Sequence, residues 1–323
     1  MTRWRHGVIL VVCVALVLAL AMESADAKRR RRRARRARPQ PVVPALTIEG
    51  LPNVRSGSAL AIDMDTNAIV YGKNPDRVRA IASTGKIFVA LVARRRGIDL
   101  DGVTEITMDD VHHARGGSRT HLDLRRRFRN HDLLRAMLIA SDNRAVTALG
   151  RAVGLTPEEL VRAMNALALD LGLRRTTFVD PTGLNGNWST AREMARALAA
   201  TLRDPVLAEI LATRHASVSS VGDRRVRTIH YSNTNRVLHR NRMRVLGGKT
   251  GYTRPAGYCL VTGVELNGRR LAFVFLGGDG ELTRFADFNR VVGWMGVNGG
   301  GGGGGTDVAL GAPAMQAQAQ DSR

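Results

Sequence analysis

The spacing of apolar residues changes character twice along this chain. Residues 57–63 (Gly-Ser-Ala-Leu-Ala-Ile-Asp) read as a strand, Asp65-Thr66-Asn67 as a turn, and 68–71 as the returning strand. The run 87–93 is apolar on every side and is followed by Arg94-Arg95-Arg96-Gly97. A helix apolar all round is a buried one, and cations followed by glycine mark its C-terminal end. Residues 98–130 mix polar and apolar positions without a period, with a turn signal at Gly116-Gly117. Helical spacing returns at Leu133, Leu134, Met137 and Leu138, which predicts a helix over 132–140, and another resumes near Arg144. Further helices fit 157–171, 190–202 and 205–212, and Thr190 three residues before Glu193 reads as a capping box. Past Val221 the period shortens, and 245–250, 258–266 and 271–276 read as strands, the last two joined by Asn267-Gly268, a type I′ hairpin corner. A final helix over 284–295 returns to cover the sheet. Strands at both ends with helices between them predict an α+β fold: one antiparallel five-stranded sheet flanked by helices, with an all-helical insertion over about 98–220. No internal repeat is visible.

The two ends of the chain change the picture. Arg3 and Arg5 precede an apolar run from Val8 to Met22, and Ala25-Asp26-Ala27 follows, the pattern of a secretory signal peptide over 1–27. The run is shorter than a membrane span. Cleavage after Ala27 leaves Cys259 as the sole cysteine, so no intrachain disulfide forms and the fold depends on its core. The formal charge is +21, and nine of the eleven residues from Lys28 to Arg38 are cationic before Pro39, Pro41 and Pro44. Such a block cannot pack; the segment 28–45 is either a solvated basic tail or a tether to an anionic cell-wall or membrane surface. The main folded domain then covers 46–296, and 297–323 is a Gly-rich tail. The basic charge also raises nucleic-acid binding, but aromatic residues for stacking are only 4% of the chain, no zinc-finger or RNA-binding signature is present, and the chain reads as exported. No nucleic-acid partner is expected.

Three short motifs stand in order: Ser83-Thr84-Gly85-Lys86, Ser141-Asp142-Asn143 and Lys249-Thr250-Gly251. At the start of the buried helix Ser83 and Lys86 share a face, one turn apart. A serine hydroxyl becomes a nucleophile when a neighbouring base takes its proton. Lys86 can act so only when neutral, which burial or the nearby charge of Lys249 would bring about. A helix N-terminus also directs N–H groups at a forming oxyanion, at Ser83 and, from the strand, at Tyr252. On its own the first motif also fits a capping serine with a snorkelling lysine, and Ser141-Asp142-Asn143 also fits a plain interhelical turn. In the chemical reading Ser141 relays a proton to the leaving nitrogen, Asn143 holds a substrate amide, and Gly251 admits the substrate backbone. Phosphate-loop readings fail, because the early glycine position holds Ala80 for the first motif and Met243 for the third. The histidines lack ligand spacing, so neither a metal nor another cofactor is called for.

The three motifs together are the set of penicillin-binding proteins and class A β-lactamases. With Ser56-Gly57-Ser58-Ala59, Arg79-Ala80-Ile81-Ala82, Thr177–Leu184 (Thr-Phe-Val-Asp-Pro-Thr-Gly-Leu), Tyr252-Thr253 and Ala256-Gly257-Tyr258-Cys259-Leu260, the chain resembles the D-alanyl-D-alanine peptidases over roughly residues 55–296, above all their short endopeptidases of penicillin-binding protein 7 type. The resemblance implies the β-lactamase/DD-peptidase-like fold and a periplasmic enzyme acting on peptidoglycan stem peptides and cross-links. It implies that Ser83 attacks a D-alanyl carbonyl, that water resolves the acyl-enzyme, and that β-lactam antibiotics acylate the same serine. It places Asn143, Lys249, Thr250 and Gly251 at the substrate, with Arg284 roughly where carboxypeptidases hold the terminal carboxylate. Long members add a β-rich domain and an amphipathic anchor, whereas about 27 glycine-rich and polar residues follow the last helix here, which favours the endopeptidase. Carboxypeptidase is the alternative. A β-lactamase would need a carboxylate for deacylation; Asp180 lies one residue too far from Asn185 for that arrangement, and 180–183 read as structural. Binding without turnover is at odds with an intact Ser83 and Lys86. Thr84-Gly85 is unusual for the family, glycine costing a helix about 0.5–1 kcal/mol relative to alanine.

Overall fold

The computed structural model describes residues 45–118, 120–239 and 243–298. The expected signal peptide, the basic segment before residue 45 and the glycine-rich end lie outside them. The early and late strands meet in one antiparallel sheet: β1 (Ser58–Asp63), β2 (Ile69–Lys73), β3 (Arg244–Thr253), β4 (Gly257–Leu266) and β5 (Arg269–Gly278), in the order β2-β1-β5-β4-β3. The N-terminal β1 pairs with β5 from Ser58↔Leu276 to Asp63↔Leu271, so the first strand is closed into the sheet by the last. Asn267 and Gly268 take φ of 53° and 73°, as a type I′ corner requires.

Alternation on the strands feeds two cores. On β5, Ala272, Val274 and Leu276 join the core shared with the inserted helices, while Leu271, Phe273 and Phe275 join a second core on the opposite face. The helices are α1 (Lys86–Arg95), α2 (Met108–His113), α3 (Asn130–Ala140), α4 (Arg144–Ala152), α5 (Pro157–Asp170), α6 (Ala191–Thr201), α7 (Pro205–Ala212) and α8 (Thr283–Asn298). Helix α8 lays Phe285, Phe288 and Val291 on the second core, with Phe288 edge-on to Phe273 at 5.0 Å. Its Asp287 accepts from the backbone N–H of Arg55 and Ser56 and from the Ser56 hydroxyl, which ties the chain entering β1 to the C-terminal helix. Helix α1 is buried from Lys86 to Ala93 and packs among α4, α5 and α6. Each large apolar side chain buried there contributes about 1.5–3 kcal/mol. Tertiary burial therefore outweighs the helix cost of Gly85.

The insertion is mostly helical, with two short ribbons that the sequence reading did not include. Val103–Glu105 pairs with Arg127–Arg129, and His215–Ser219 with Thr228–Ser232. The first ribbon is only three residues long; the second does alternate, setting Ala216, Val218, Ile229 and Tyr231 inward between exposed serine, threonine and histidine, a period-2 pattern that sequence reading passed over. The box expected at Thr190 is half formed. Thr190 Oγ1 accepts from the Glu193 N–H, but the Glu193 carboxylate turns to Arg175 N–H and the Thr176 hydroxyl. Reciprocal boxes stand instead at Thr107/Asp110 and Thr156/Glu159. Among the described residues no helix is long and apolar enough to cross a membrane.

Candidate active site

Ser83 sits in a 3₁₀ turn, Ala82–Gly85, that leads into α1. Ala82 takes φ 48°, a left-handed conformation that a non-glycine residue holds only when its surroundings impose it. Two glycines make room for the turn that holds it. A Cβ on Gly183 would lie 2.5 Å from the Ala82 carbonyl oxygen, and one on Gly251 would lie 2.9 Å from Ser83 N and 3.0 Å from Thr84 N. Gly251 thus makes room for the turn that carries Ser83, whereas the sequence suggested room for a substrate backbone. The unusual Thr84-Gly85 pair has a local cause too. The Thr84 hydroxyl donates to Ile81 O at 2.6 Å. Gly85 faces Phe178, whose ring a Cβ would meet at 3.2 Å and which packs on Phe88 at 4.6 Å.

The Ser-Asp-Asn motif joins α3 to α4. Ser141 ends α3 with φ 65°, and Asn143 opens α4. This turn meets α1 and β3 around two fully buried lysines. Lys86 Nζ donates to Ser141 O at 2.8 Å, to Ser141 Oγ at 3.0 Å, and to Asn143 Oδ1. Lys249 Nζ donates to the same Ser141 Oγ at 3.0 Å and to Thr250 O at 2.9 Å. Burial lowers Lys86 to about 7, against a smaller opposing pull from the Asp142 and Asp180 charges. Lys249 is also held well below its ordinary value, first by burial and then by the charges of Lys86 and Arg284. Of the two causes the sequence suggested, burial and the Lys249 charge, burial is the one that lowers Lys86 most. Asn143, expected to hold a substrate amide, gives its oxygen to Lys86, and its amide nitrogen lies against Gly117.

Ser83, Ser141, Asn143, Thr250, Gly251, Tyr252 and Arg284 all line one cleft of about 1030 Å³, with Lys86 and Lys249 buried behind it. Tyr252 is half exposed and stacks on Tyr258 at 4.2 Å. Arg284 reaches from α8 to donate to Gly251 O at 2.9 Å and Cys259 O at 3.2 Å, with its guanidinium 5.2 Å from the Tyr258 ring centre. Asp180 is structural, as the sequence suggested: its carboxylate accepts from the N–H of Thr182, Leu184 and Asn185 and from the Thr182 hydroxyl. Sequence reading missed Thr234, whose hydroxyl lies 2.6 Å from that of Thr250. The signal was present in Asn233-Thr234-Asn235, a run of three polar residues after the alternating Thr228–Ser232 strand, with Asn233 and Asn235 buried. Asp142, passed over as the middle of its motif, accepts from His121 N–H at 2.7 Å and the Tyr231 hydroxyl at 3.1 Å, and so fixes the turn that presents Ser141.

Residues 45–280 match the family model of the D-alanyl-D-alanine carboxypeptidases, peptidase family S11. The chain belongs to that family. It is a serine peptidase, with its candidate serine where three chain segments converge. Its relatives in the family include a D-alanyl-D-alanine endopeptidase of Escherichia coli, 32% identical over 252 residues, which cover 78% of this chain and 80% of that protein. A Pseudomonas aeruginosa protein of the same name is 34% identical over 253 residues, covering 76% of this chain and 80% of the relative. The Streptomyces K15 DD-transpeptidase shares the fold, with a TM-score of 0.70 at 23% identity over 76% of this chain and 98% of that one. A D-alanyl-D-alanine carboxypeptidase from Mycobacterium tuberculosis superposes with a TM-score of 0.68 at 26% identity, covering 80% of this chain and 95% of the other.

Proposed function

We propose that this family member is an exported DD-endopeptidase that opens peptidoglycan cross-links through an acyl-enzyme on Ser83. The observation that carries the chemistry is Lys86: fully buried, lowered to about 7, one turn from Ser83 and bonded to Ser141. Neutral Lys86 takes the Ser83 hydroxyl proton as Oγ bonds to the D-alanyl carbonyl carbon. The oxyanion accepts from the backbone N–H groups of Ser83 and Tyr252. The C–N bond then breaks, and the proton held by Lys86 passes through Ser141 Oγ, which lies within 3.0 Å of both lysine nitrogens, to the leaving amine. Water adds to the ester carbonyl and releases Ser83. Asn143 keeps Lys86 in place, Lys249 acts on the substrate from behind the cleft through its bond to Ser141 Oγ, and Thr250 with Arg284 attracts the carboxylate beside the cleaved bond. A penicillin acylates the same oxygen.

Export rests on the N-terminal leader pattern, and the basic segment after it is read as a contact with anionic wall or membrane polymers. The endopeptidase reading draws on the names of the two relatives above 30% identity. The hydrogen bonds that occupy Asp180 count against a β-lactamase. A fluorescent penicillin should label the purified protein and fail to label Ser83→Ala; a labelled Ser83→Ala protein refutes the nucleophile. Cross-linked and uncross-linked muropeptides, followed by mass, separate the activities. Loss of the cross-link supports the endopeptidase, and loss of a terminal D-alanine alone makes the protein a carboxypeptidase.

A further inference from the structure

Trp188 is 45% exposed and Val179, beside it, is 61% exposed, on a face that the mechanism above does not use. Strand periodicity builds this face. Ala80 pairs with Trp188, and Trp188 exchanges both backbone hydrogen bonds with Thr177 at 2.9 Å, so three short segments lie side by side. Side chains alternate along them: Ala80, Phe178 and Asn187 are buried, while Thr177, Val179 and Trp188 are exposed. The buried set holds the backbone still. Phe178 packs on Phe88, and the Asn187 side chain accepts from the N–H of Val179 and Asp180 and donates to Asp180 O at 2.6 Å. The indole itself makes no hydrogen bond or ring contact among the described residues. It also adjoins the cleft. Leu184 and Asn185 line the cleft, and a Cβ on the next residue, Gly186, would lie 3.6 Å from a Val179 methyl and 3.7 Å from Trp188 Nε1.

We infer that Trp188 is a stacking platform for a sugar ring of the glycan strand that carries the stem peptide, so that the protein prefers cross-links still attached to glycan. The inference rests on the DD-peptidase reading and extends its substrate beyond the peptide. The reach is right. Ala80, the strand partner of Trp188, precedes Ser83 by three residues. One strand spacing of about 5 Å and three residues of at most about 3.6 Å each put the two within about 16 Å, a span that about four or five extended residues cover. The chemistry is right as well. A pyranose presents C–H groups on its faces and hydroxyl or acetamido groups around its edge. A pinned indole offers a flat apolar face and an unused N–H donor, and Thr177 and Asn185 flank it with a hydroxyl and an amide. A stable protein interface engages about 20–30 residues a side, far more than this small apolar face presents.

The test compares two cross-linked dimers with identical peptides, one carrying its disaccharides and the other stripped of them. The wild-type protein should prefer the sugar-bearing dimer by about tenfold in kcat/KM, carried by KM, which corresponds to ~1.4 kcal/mol. The preference should persist at about 0.5 M salt, because neither the indole nor the sugar is charged; a preference lost in salt would assign it to the basic segment and overturn the inference. In Trp188→Ala it should fall below about twofold, whereas Trp188→Phe, which keeps an aromatic face, should retain at least about half of it. Thermal midpoints show which variants fold, and if Trp188→Ala does not, Trp188→Gln carries the same expectation. Equal cleavage of both dimers by the wild-type protein overturns this inference and leaves the peptidase reading standing. So does a folded Trp188→Ala or Trp188→Gln protein that keeps the full preference. Self-association in sedimentation that Trp188→Ala abolishes would give the face to a second copy of the chain and also overturn it. Cleavage of neither dimer overturns both readings.

Discussion

Lys86 offers the sharpest prediction, because one group sets both the rate and the stability profile. Its ammonium is fully buried, and a fall from 10.5 to about 7 corresponds to roughly 5 kcal/mol in favour of the neutral form. A base near 7 is about one-tenth neutral at pH 6 and nine-tenths at pH 8, so the second-order rate of penicillin acylation should rise about tenfold across that interval. Lys86 and Lys249 share the Ser141 hydroxyl, so the observed transition belongs to the pair. Stability should move in the same direction. Between about 7 and 10.5 the unfolded chain holds a proton on this lysine that the folded chain lacks, so the Lys86 contribution to stability grows as pH rises. At 1.36 kcal/mol per pH unit, the wild-type protein should gain about 2–3 kcal/mol between pH 7.5 and 9.5 relative to Lys86→Met, measured by urea unfolding of both proteins at each pH. Stopped-flow acylation from pH 5.5 to 8.5 provides the kinetic arm. A flat rate profile, together with parallel stabilities of wild type and Lys86→Met, would refute a neutral buried lysine and return the base role to another group.

Gly251→Ala should lower the acylation rate by at least about 100-fold, since its methyl would push on Ser83 N and Thr84 N; Gly268→Ala, with open space at a left-handed corner, should cost ~1 kcal/mol of stability and leave acylation intact. Asp180→Ala should lose about 3 kcal/mol or more in chemical denaturation, because three backbone N–H groups and a hydroxyl lose their acceptor, and a loss under about 1 kcal/mol would contradict that role. Burial pushes the Cys259 thiol up to about 11, so maleimide at pH 7.5 should modify it only after unfolding, as mass spectrometry would report.

The sheet was legible because its strands are buried on alternating faces and end at recognisable corners, Asn267-Gly268 above all. Helix α1 was legible for a simpler reason, since no exposed helix could be apolar over 87–93. The motifs were legible as residue types at fixed short spacings, and Ser83 and Lys86 lie within one turn of each other. The partners of Lys86 were not. Ser141 is 55 residues away and Asn143 is 57, and their approach depends on how α3 and α4 pack against α1. Thr234 was hidden in the same way, because only the folded chain sets its hydroxyl against Thr250. The second ribbon was legible in the alternation of His215–Ser219 and Thr228–Ser232 but was overlooked because each strand holds only two apolar residues; the outward pairs His215–Ser232 and Ser217–His230 add to its register.

Position in the fold explains why the candidate site is built from these segments. A lysine near neutrality needs burial, and a buried amine needs acceptors for its remaining protons. The seam between the sheet and the inserted helices supplies both. Helix α1 contributes Lys86 from the core side, β3 contributes Lys249 from the sheet edge, and the α3–α4 turn inserts Ser141 between the two nitrogens at 3.0 Å from each. The turn holding Ser83 is then squeezed from opposite sequence directions by Gly183 and Gly251, which fixes a left-handed Ala82 that would relax elsewhere. Larger residues at either glycine would displace the serine, and a less buried seam would restore the ordinary lysine value. The same packing that orders the chain therefore sets the protonation state on which the proposed acylation depends.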